Sequence, residues 1–245
     1  MEYLSILYRF ITADGERRSF EFPVPTVCAI TATPTPTASP TLVATATPVP
    51  APIHLPVLYR NGCLPGKAHA DVVLLVDTSS SMAGDKLGMA QAAATLFVGM
   101  LDFPRDQVAV VGFSEEPEVA VGLTRDLPAA EAAIAGLRLR SGTRIDQALW
   151  EAGRLLRGAA RDARNRAVVV LMTDGGHAGR RADALDVASE VRGMPATIYA
   201  IGLGGDADRE LLTEVAGHPG RYYYAPTERD LAEIYRQIAV SIPCR

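Results

Sequence analysis

From Ala70 onward the chain alternates short, nearly continuous apolar runs with stretches whose apolar residues recur every three or four positions. The runs read as buried strands and the stretches as amphipathic helices. Their alternation predicts an α/β domain on a mostly parallel sheet. Strands are expected over Asp71 to Val76, Gln107 to Phe113, Val119 to Leu123, Ala167 to Met172, Ala196 to Ile201 and Arg221 to Tyr224. Helical stripes are formed by Leu87, Ala90, Ala93, Phe97 and Leu101, by Ile145, Leu149, Ala152 and Leu156, and by Ala184, Val187 and Val191. A last helix over 229–240 presents Leu231, Ile234, Tyr235 and Ile238 on one face. The run 119–123 follows its neighbour after a short turn, which suits an antiparallel edge strand. Far upstream, Ile6 to Thr12 and Arg18 to Val24 flank Asp14-Gly15 and predict a β-hairpin. A lone hairpin is marginal in water, so residues 1–25 read as the remnant of an upstream domain.

The strand ends carry the chemistry. Right-handed crossovers in such a sheet place ligands at the carboxyl ends of the strands, where the strand order reverses. The two most apolar strands, VVLLV and AVVVLM, end in Asp77 and in Thr173-Asp174. A carboxylate at the rim of a buried sheet is costly unless hydrogen-bonded or paired with a metal. In Asp77-Thr78-Ser79-Ser80-Ser81, the residues at i, i+2 and i+4 share one side of an extended loop and can converge on a point. Mg²⁺ takes six oxygen ligands at about 2.1 Å, some of them water. Ser79 and Ser81 would bind directly, with Thr143 of SGTRID and Asp174 of MTDGG as further candidates from other loops. Taken singly, these residues have plainer readings: Asp and Ser before a helix are good caps, and Asp-Gly after a strand is an ordinary turn.

Composition narrows the classes. With 245 residues, 48% hydrophobic, the chain can bury one ordinary core plus an appendage. The net charge of −4 is spread along the chain, which excludes a nucleic-acid footprint, and no apolar run is long enough to span a bilayer. From Phe22 to Tyr59 there is no Asp, Glu, Lys or Arg, and Pro alternates with Thr, Ala and Val. Such a segment favours extended polyproline II, and 26–62 reads as a disordered Thr/Pro-rich linker ahead of a domain over 63–245. The N-terminus lacks the pattern of a signal peptide, whereas the stalk and the flanking cysteines point to an extracytoplasmic, secreted or cell-surface location. Cys28, Cys63 and Cys244 form no C-x-x-C pair, which argues against zinc or thioredoxin-like chemistry. A Cys63–Cys244 disulfide would clasp the ends of the domain, with three unrelated thiols the alternative.

The series DVVLLVDTSSSM, SGTRIDQAL and VVVLMTDGG, in that order, resembles the von Willebrand factor A family and its metal-ion-dependent adhesion site. The likeness extends through Phe113-Ser114, the Ile201-Gly202-Leu203-Gly204 strand end, Asp230-Leu231 and the last helix. It implies a doubly wound, mostly parallel six-stranded sheet with helices on both faces. It also implies a Mg²⁺ or Mn²⁺ site made by Asp77, Ser79, Ser81, Thr143 and Asp174, with one or both aspartates acting through water. The family more often has Gly-Gly before its threonine, and Ser141 stands in the first of those positions here. Hydroxyl ligands leave the ion electrophilic, so the expected partner is a protein offering an Asp or Glu carboxylate, and no catalysis is expected.

Other readings are weaker. Haloacid-dehalogenase-type phosphatases use D-x-D, but Ser79 holds the second position. A cytoplasmic assembly subunit working with an ATPase is a second non-enzymatic reading, and the stalk argues against it. Gly202-x-Gly204-x-x-Ala207 lacks the context of a dinucleotide fingerprint, and Gly66-Lys67 lacks that of a phosphate loop. His54, His69, His177 and His218 show no ligand spacing, and His177 reads as a solvated loop residue. Trp150 reads as core or partly exposed packing.

Overall fold

Every residue from Ala70 to Asp77 is buried, as expected for a strand covered on both sides. The computed structural model describes residues 3–11, 17–25, 69–103 and 105–242. Two compact units are distinguished, 1–55 and 56–245. In the first, β1 (Tyr3–Ile11) pairs antiparallel with β2 (Arg17–Pro25), Tyr3 opposite Pro25. The linker 26–62 and all three cysteines lie outside the described residues.

The second unit runs β3 (Ala70–Asp77), α1 (Asp85–Val98), β4 (Gln107–Phe113), β5 (Pro117–Thr124), α2 (Leu127–Gly136) and α3 (Ile145–Arg157). It continues with β6 (Arg166–Thr173), α4 (Arg181–Gly193), β7 (Thr197–Leu203), α5 (Arg209–Ala216), β8 (Tyr222–Ala225) and α6 (Glu228–Ser241). The sheet order is β5-β4-β3-β6-β7-β8, parallel throughout except for β5, which runs antiparallel to β4. The expected six-stranded doubly wound architecture and its antiparallel edge are both present. The β4–β5 register shifts between Val108 and Val110 and again between Val110 and Val111, so that edge is bulged.

Alternate residues of β3 feed two cores, because strand side chains point to opposite faces. Val72, Leu74 and Val76 pack with residues of α1, α2 and α6 such as Phe97, Ile134 and Tyr235. Val73 and Leu75 pack with residues of α3, α4 and α5 such as Leu149, Val191 and Leu212. The helix after β3 thus covers one face and the helix after β6 the other. The crevice that opens between two such strands lies at their carboxyl ends. The opposite end is sealed by buried carboxylates. Asp71 accepts from the Gln107 side chain (3.0 Å), the Asn165 side chain (2.9 Å) and the Asp162 amide (2.7 Å). Asp106 accepts from the Ala70 and Asp102 amides at 2.8 and 2.7 Å.

Several elements differ from the sequence reading. α1 stops at Val98, and Leu101, read as part of its stripe, lies in a following tight turn in which its amide donates to the Val98 carbonyl at 3.1 Å. β7 begins at Thr197, one residue later than expected, and reaches Leu203. α2 and α5 were not foreseen. Each opens on an aspartate cap, Asp126 accepting from the Ala129 amide and Asp208 from the Leu211 amide.

Candidate metal centre

Three loops meet at the β3/β6 end of the crevice. Asp77 closes β3 with its side chain fully buried, and one carboxylate oxygen accepts from the Ser79 amide at 2.7 Å. Its other oxygen accepts from the Thr173 hydroxyl, at the end of β6. Burial pushes the Asp77 carboxyl above its ordinary value of 3.8, against the hydrogen bonds from Ser79 and Thr173, and the Asp174 charge pushes the same way. Thr78 is pinned beside it, with both its amide and its hydroxyl donating to the Phe113 carbonyl at 2.8 and 2.9 Å. The backbone then tightens into a 3₁₀ turn, Ser80–Met82, anchored by fully buried Met82.

This turn aims the hydroxyls. Ser79 occupies the cap position of the turn but makes no side-chain cap bond, so the capping explanation does not hold for it. Its Oγ instead lies 2.8 Å from Ser81 Oγ, which donates to Asp174 Oδ1 at 2.7 Å. The second oxygen of Asp174 lies 2.5 Å from the ammonium of Lys86, and the Asp174 side chain is fully buried. Asp77, Ser79, Ser81 and Asp174 therefore form one cluster of oxygens spanning two strand ends.

Thr143 is buried and arrives on the third loop. Its hydroxyl makes no hydrogen bond to the other four among the described residues; its backbone brings it there. The Thr143 carbonyl accepts from the Ala178 amide (2.9 Å), tying it to the loop after Asp174, and the Arg144 amide donates to the Ser114 carbonyl (2.8 Å). Gly142 has φ +88°, and a β-carbon there would stand 2.6 Å from the Glu115 carboxylate and 2.9 Å from the Glu115 backbone nitrogen. Only glycine fits that position. Ser141 is under no such demand, which accounts for its departure from Gly-Gly.

Beside Thr143, Arg144 grips Asp146 through two hydrogen bonds of 2.9 and 2.7 Å, and lies 3.6 Å from Glu115. His177 Nδ1 accepts from the Ile145 amide at 3.2 Å, so the ring fills the start of α3. Its side chain is only 1% exposed, which corrects the solvated reading. Sequence reasoning also missed Thr173 as the partner of Asp77, and Lys86. A signal for Lys86 existed: a cation in the first turn of a helix opposes the helix dipole and needs a carboxylate to hold it there.

The donor chemistry can be tested against a metal. Among the described residues, no three His, Cys, Asp or Glu side chains cluster in a way that could hold a metal ion. The described residues therefore offer no imidazole-rich centre. What is offered is two carboxylates and two hydroxyls in a chain of short hydrogen bonds, all hard oxygens, with a cationic side chain already among them. That set fits a small hard divalent ion. The other flagged motifs have structural explanations. A β-carbon on Gly202 would meet the Tyr222 hydroxyl at 2.9 Å and Ala207 at 3.0 Å, so this glycine serves packing. Trp150 is 49% exposed, as partly exposed packing on α3.

The sheet is doubly wound, with its crevice between the first and fourth of its strands in chain order. Residues 71–237 match the von Willebrand factor type A domain, and the chain belongs to that family. Among curated proteins it is similar to inter-alpha-trypsin inhibitor heavy chain H4 of Sus scrofa, 26% identical over 184 residues, covering 69% of this chain and 20% of that protein. The Homo sapiens protein of the same name is 27% identical over 159 residues, covering 60% and 17%. The chain thus spans about a fifth of the length of these relatives. Among solved structures, proximal thread matrix protein 1 from the mussel byssus superposes with a TM-score of 0.66 at 21% identity, over 72% of this chain and 48% of that one. The same protein with a zinc-occupied MIDAS motif gives 0.62 at 23% identity, over 70% and 45%. The type V pili tip protein Mfa5 from Porphyromonas gingivalis gives 0.63 at 17% identity, over 71% and 95%. These likenesses show the fold.

Proposed function

We propose that the domain over 63–245 is a metal-dependent protein-binding module, with Asp77, Ser79, Ser81, Thr143 and Asp174 holding one Mg²⁺ or Mn²⁺ at a metal-ion-dependent adhesion site. The observation that carries this reading is the run of short contacts from Ser79 Oγ to Ser81 Oγ (2.8 Å) to Asp174 Oδ1 (2.7 Å) beside buried Asp77. The contacts among Asp77, Ser79, Ser81 and Asp174 support it. The zinc-occupied motif of the mussel byssus protein supports it by analogy.

In this reading Ser79, Ser81 and Thr143 supply neutral oxygens, while Asp77 is held back from direct contact by its bonds to the Ser79 amide and the Thr173 hydroxyl. The bound ion supplies an electrophilic position open to an anionic oxygen. The chain's own part is to fix these oxygens on rigid strand ends, so that little ordering is left for the moment of binding. The partner is a protein presenting an Asp or Glu carboxylate. The module is read as capturing that carboxylate rather than reacting with it, and so as non-catalytic. The Thr/Pro-rich segment 26–62 is read as a stalk displaying it outside the cytoplasm, on a cell surface or as a secreted protein.

Calorimetric titration of the full chain with Mn²⁺ and Mg²⁺ tests the site, against Asp77→Ala and Ser79→Ala. One site is expected in the wild type, with heat lost or affinity at least tenfold weaker in the variants. Water-proton relaxation by bound Mn²⁺ then tests the open position: glutarate, as the simplest carboxylate probe, is expected to displace water and lower the relaxivity. Equal heats in all three proteins would refute the assignment. Unchanged relaxivity at saturating glutarate would refute carboxylate capture.

A further inference from the structure

Asp174 of the proposed site touches a cation of the chain itself. Its side chain is fully buried, and its two oxygens are taken by Ser81 Oγ at 2.7 Å and by the Lys86 ammonium at 2.5 Å. Lys86 lies in the first turn of α1, Asp85–Val98, where the helix dipole works against a positive charge. Only two of the chain's 24 basic residues are lysines, Lys67 and Lys86; the rest are arginines. A compact ammonium that can approach one oxygen as a point charge stands where the chain otherwise uses a planar fork. The Lys86 side chain is 33% exposed, so the ammonium can leave toward solvent without crossing the core.

We propose that Lys86 is the resident counter-cation of the site: it holds Asp174 while no metal is bound, and metal loading expels it to the rim. This rests on the metal-binding reading above. A buried carboxylate without a partner is strongly destabilising, so the ammonium keeps the metal-free domain folded with Asp174 in place. A divalent ion bound through the same carboxylate would put like charges side by side, and the flexible lysine is the one that can move. The lysine therefore weakens metal affinity in proportion to the strength of its ion pair, and sets the metal concentration at which the site fills.

The experiment uses the full chain at one fixed pH. Lys86→Met keeps the length of the side chain and removes the charge; Lys86→Arg keeps the charge. Lys86→Met is expected to bind Mn²⁺ about five- to tenfold more tightly, as loss of a partly buried competing ion pair implies. Its thermal midpoint should fall in EDTA and recover most of the difference at saturating Mn²⁺, while Lys86→Arg stays within about threefold of the wild-type affinity. A second readout needs no variant. Amine-reactive labelling of the wild type, with Lys67 as internal reference, should modify Lys86 slowly in EDTA and faster with Mn²⁺.

A Lys86→Met affinity equal to or weaker than that of the wild type overturns the proposal. So does Lys86 labelling that Mn²⁺ does not change, even if Lys86→Met fails to fold. If neither wild type nor Lys86→Met binds metal, the metal reading falls and this inference with it. If only Lys86→Met binds, the lysine blocks the site outright and the competition is stronger than stated.

Discussion

The end of the sheet remote from the proposed metal site offers a demanding test, because its stability and the site's function should separate. Asp71→Ala deletes a buried carboxylate that accepts three hydrogen bonds, at 3.0, 2.9 and 2.7 Å. Two of the donors keep a second acceptor: the Gln107 side chain also reaches the Ala160 carbonyl at 3.2 Å, and the Asn165 side chain the Arg105 carbonyl at 3.0 Å. The Asp162 amide loses its bond to Asp71 entirely. Hydrogen bonds to a charged group contribute about 1.5–3 kcal/mol each, and the desolvation cost of burying the carboxylate is recovered on its removal. The net loss works out at about 2–4 kcal/mol, a large share of the roughly 5–15 kcal/mol available to a domain. For a domain of this size that is a drop in Tm of roughly 5–15 °C. Urea unfolding followed by circular dichroism should show a lower midpoint at an unchanged slope. Asp71 and Asp77 are six residues apart on one strand, about 20 Å at the usual rise, so Mn²⁺ affinity should stay within twofold. A stability loss under 1 kcal/mol would refute the role of Asp71 as a seal. A parallel loss of metal affinity would refute the view of β3 as a rigid spacer.

Three further outcomes are expected. Gly142→Ala must adopt φ near +88° and press against the Glu115 backbone, so it should cost about 2–4 kcal/mol and weaken Mn²⁺ binding through Thr143, as read by urea unfolding and calorimetry. Burial pushes the Asp146 carboxyl up, but the paired hydrogen bonds and charge of Arg144 outweigh this and hold it below its ordinary 3.8. Its stabilisation is thus complete above that ordinary value and lost as pH falls through the lower folded one, so Asp146→Asn should flatten the acid side of the stability profile below about pH 4. Non-reducing peptide mapping of protein made under oxidising conditions should find a Cys63–Cys244 peptide, with Cys28 unpaired or intermolecular; a Cys28–Cys63 peptide would refute that pairing.

The sheet was legible because each of its buried strands is a local apolar run, and Asp77 and Asp174 were legible because each closes one. α2 was not, although Asp126 and Pro128 give a start signal. Its buried residues, Ala130 and Ile134, are too few to make a stripe that stands out from an alanine-rich background. α5 hides behind Gly204-Gly205, with one short turn of Leu211, Leu212 and Val215 to announce it. At the site, sequence spacing picked out the ligand candidates but not what holds them. His177 is buried because it meets the Ile145 amide 32 residues away, and Thr173 is committed because it meets Asp77 across 96 residues. Neither encounter leaves a trace in local periodicity.

The two edges of the sheet have a consequence for any setting in which many copies stand close together. β8 is only four residues long, and β5 is bulged along its pairing with β4 and carries a Glu118–Arg140 ion pair at 2.5 Å near its start. Short, kinked or charged edges are poor templates for strand addition by a neighbouring molecule. A dense display of these domains should therefore resist strand addition at either edge of this sheet.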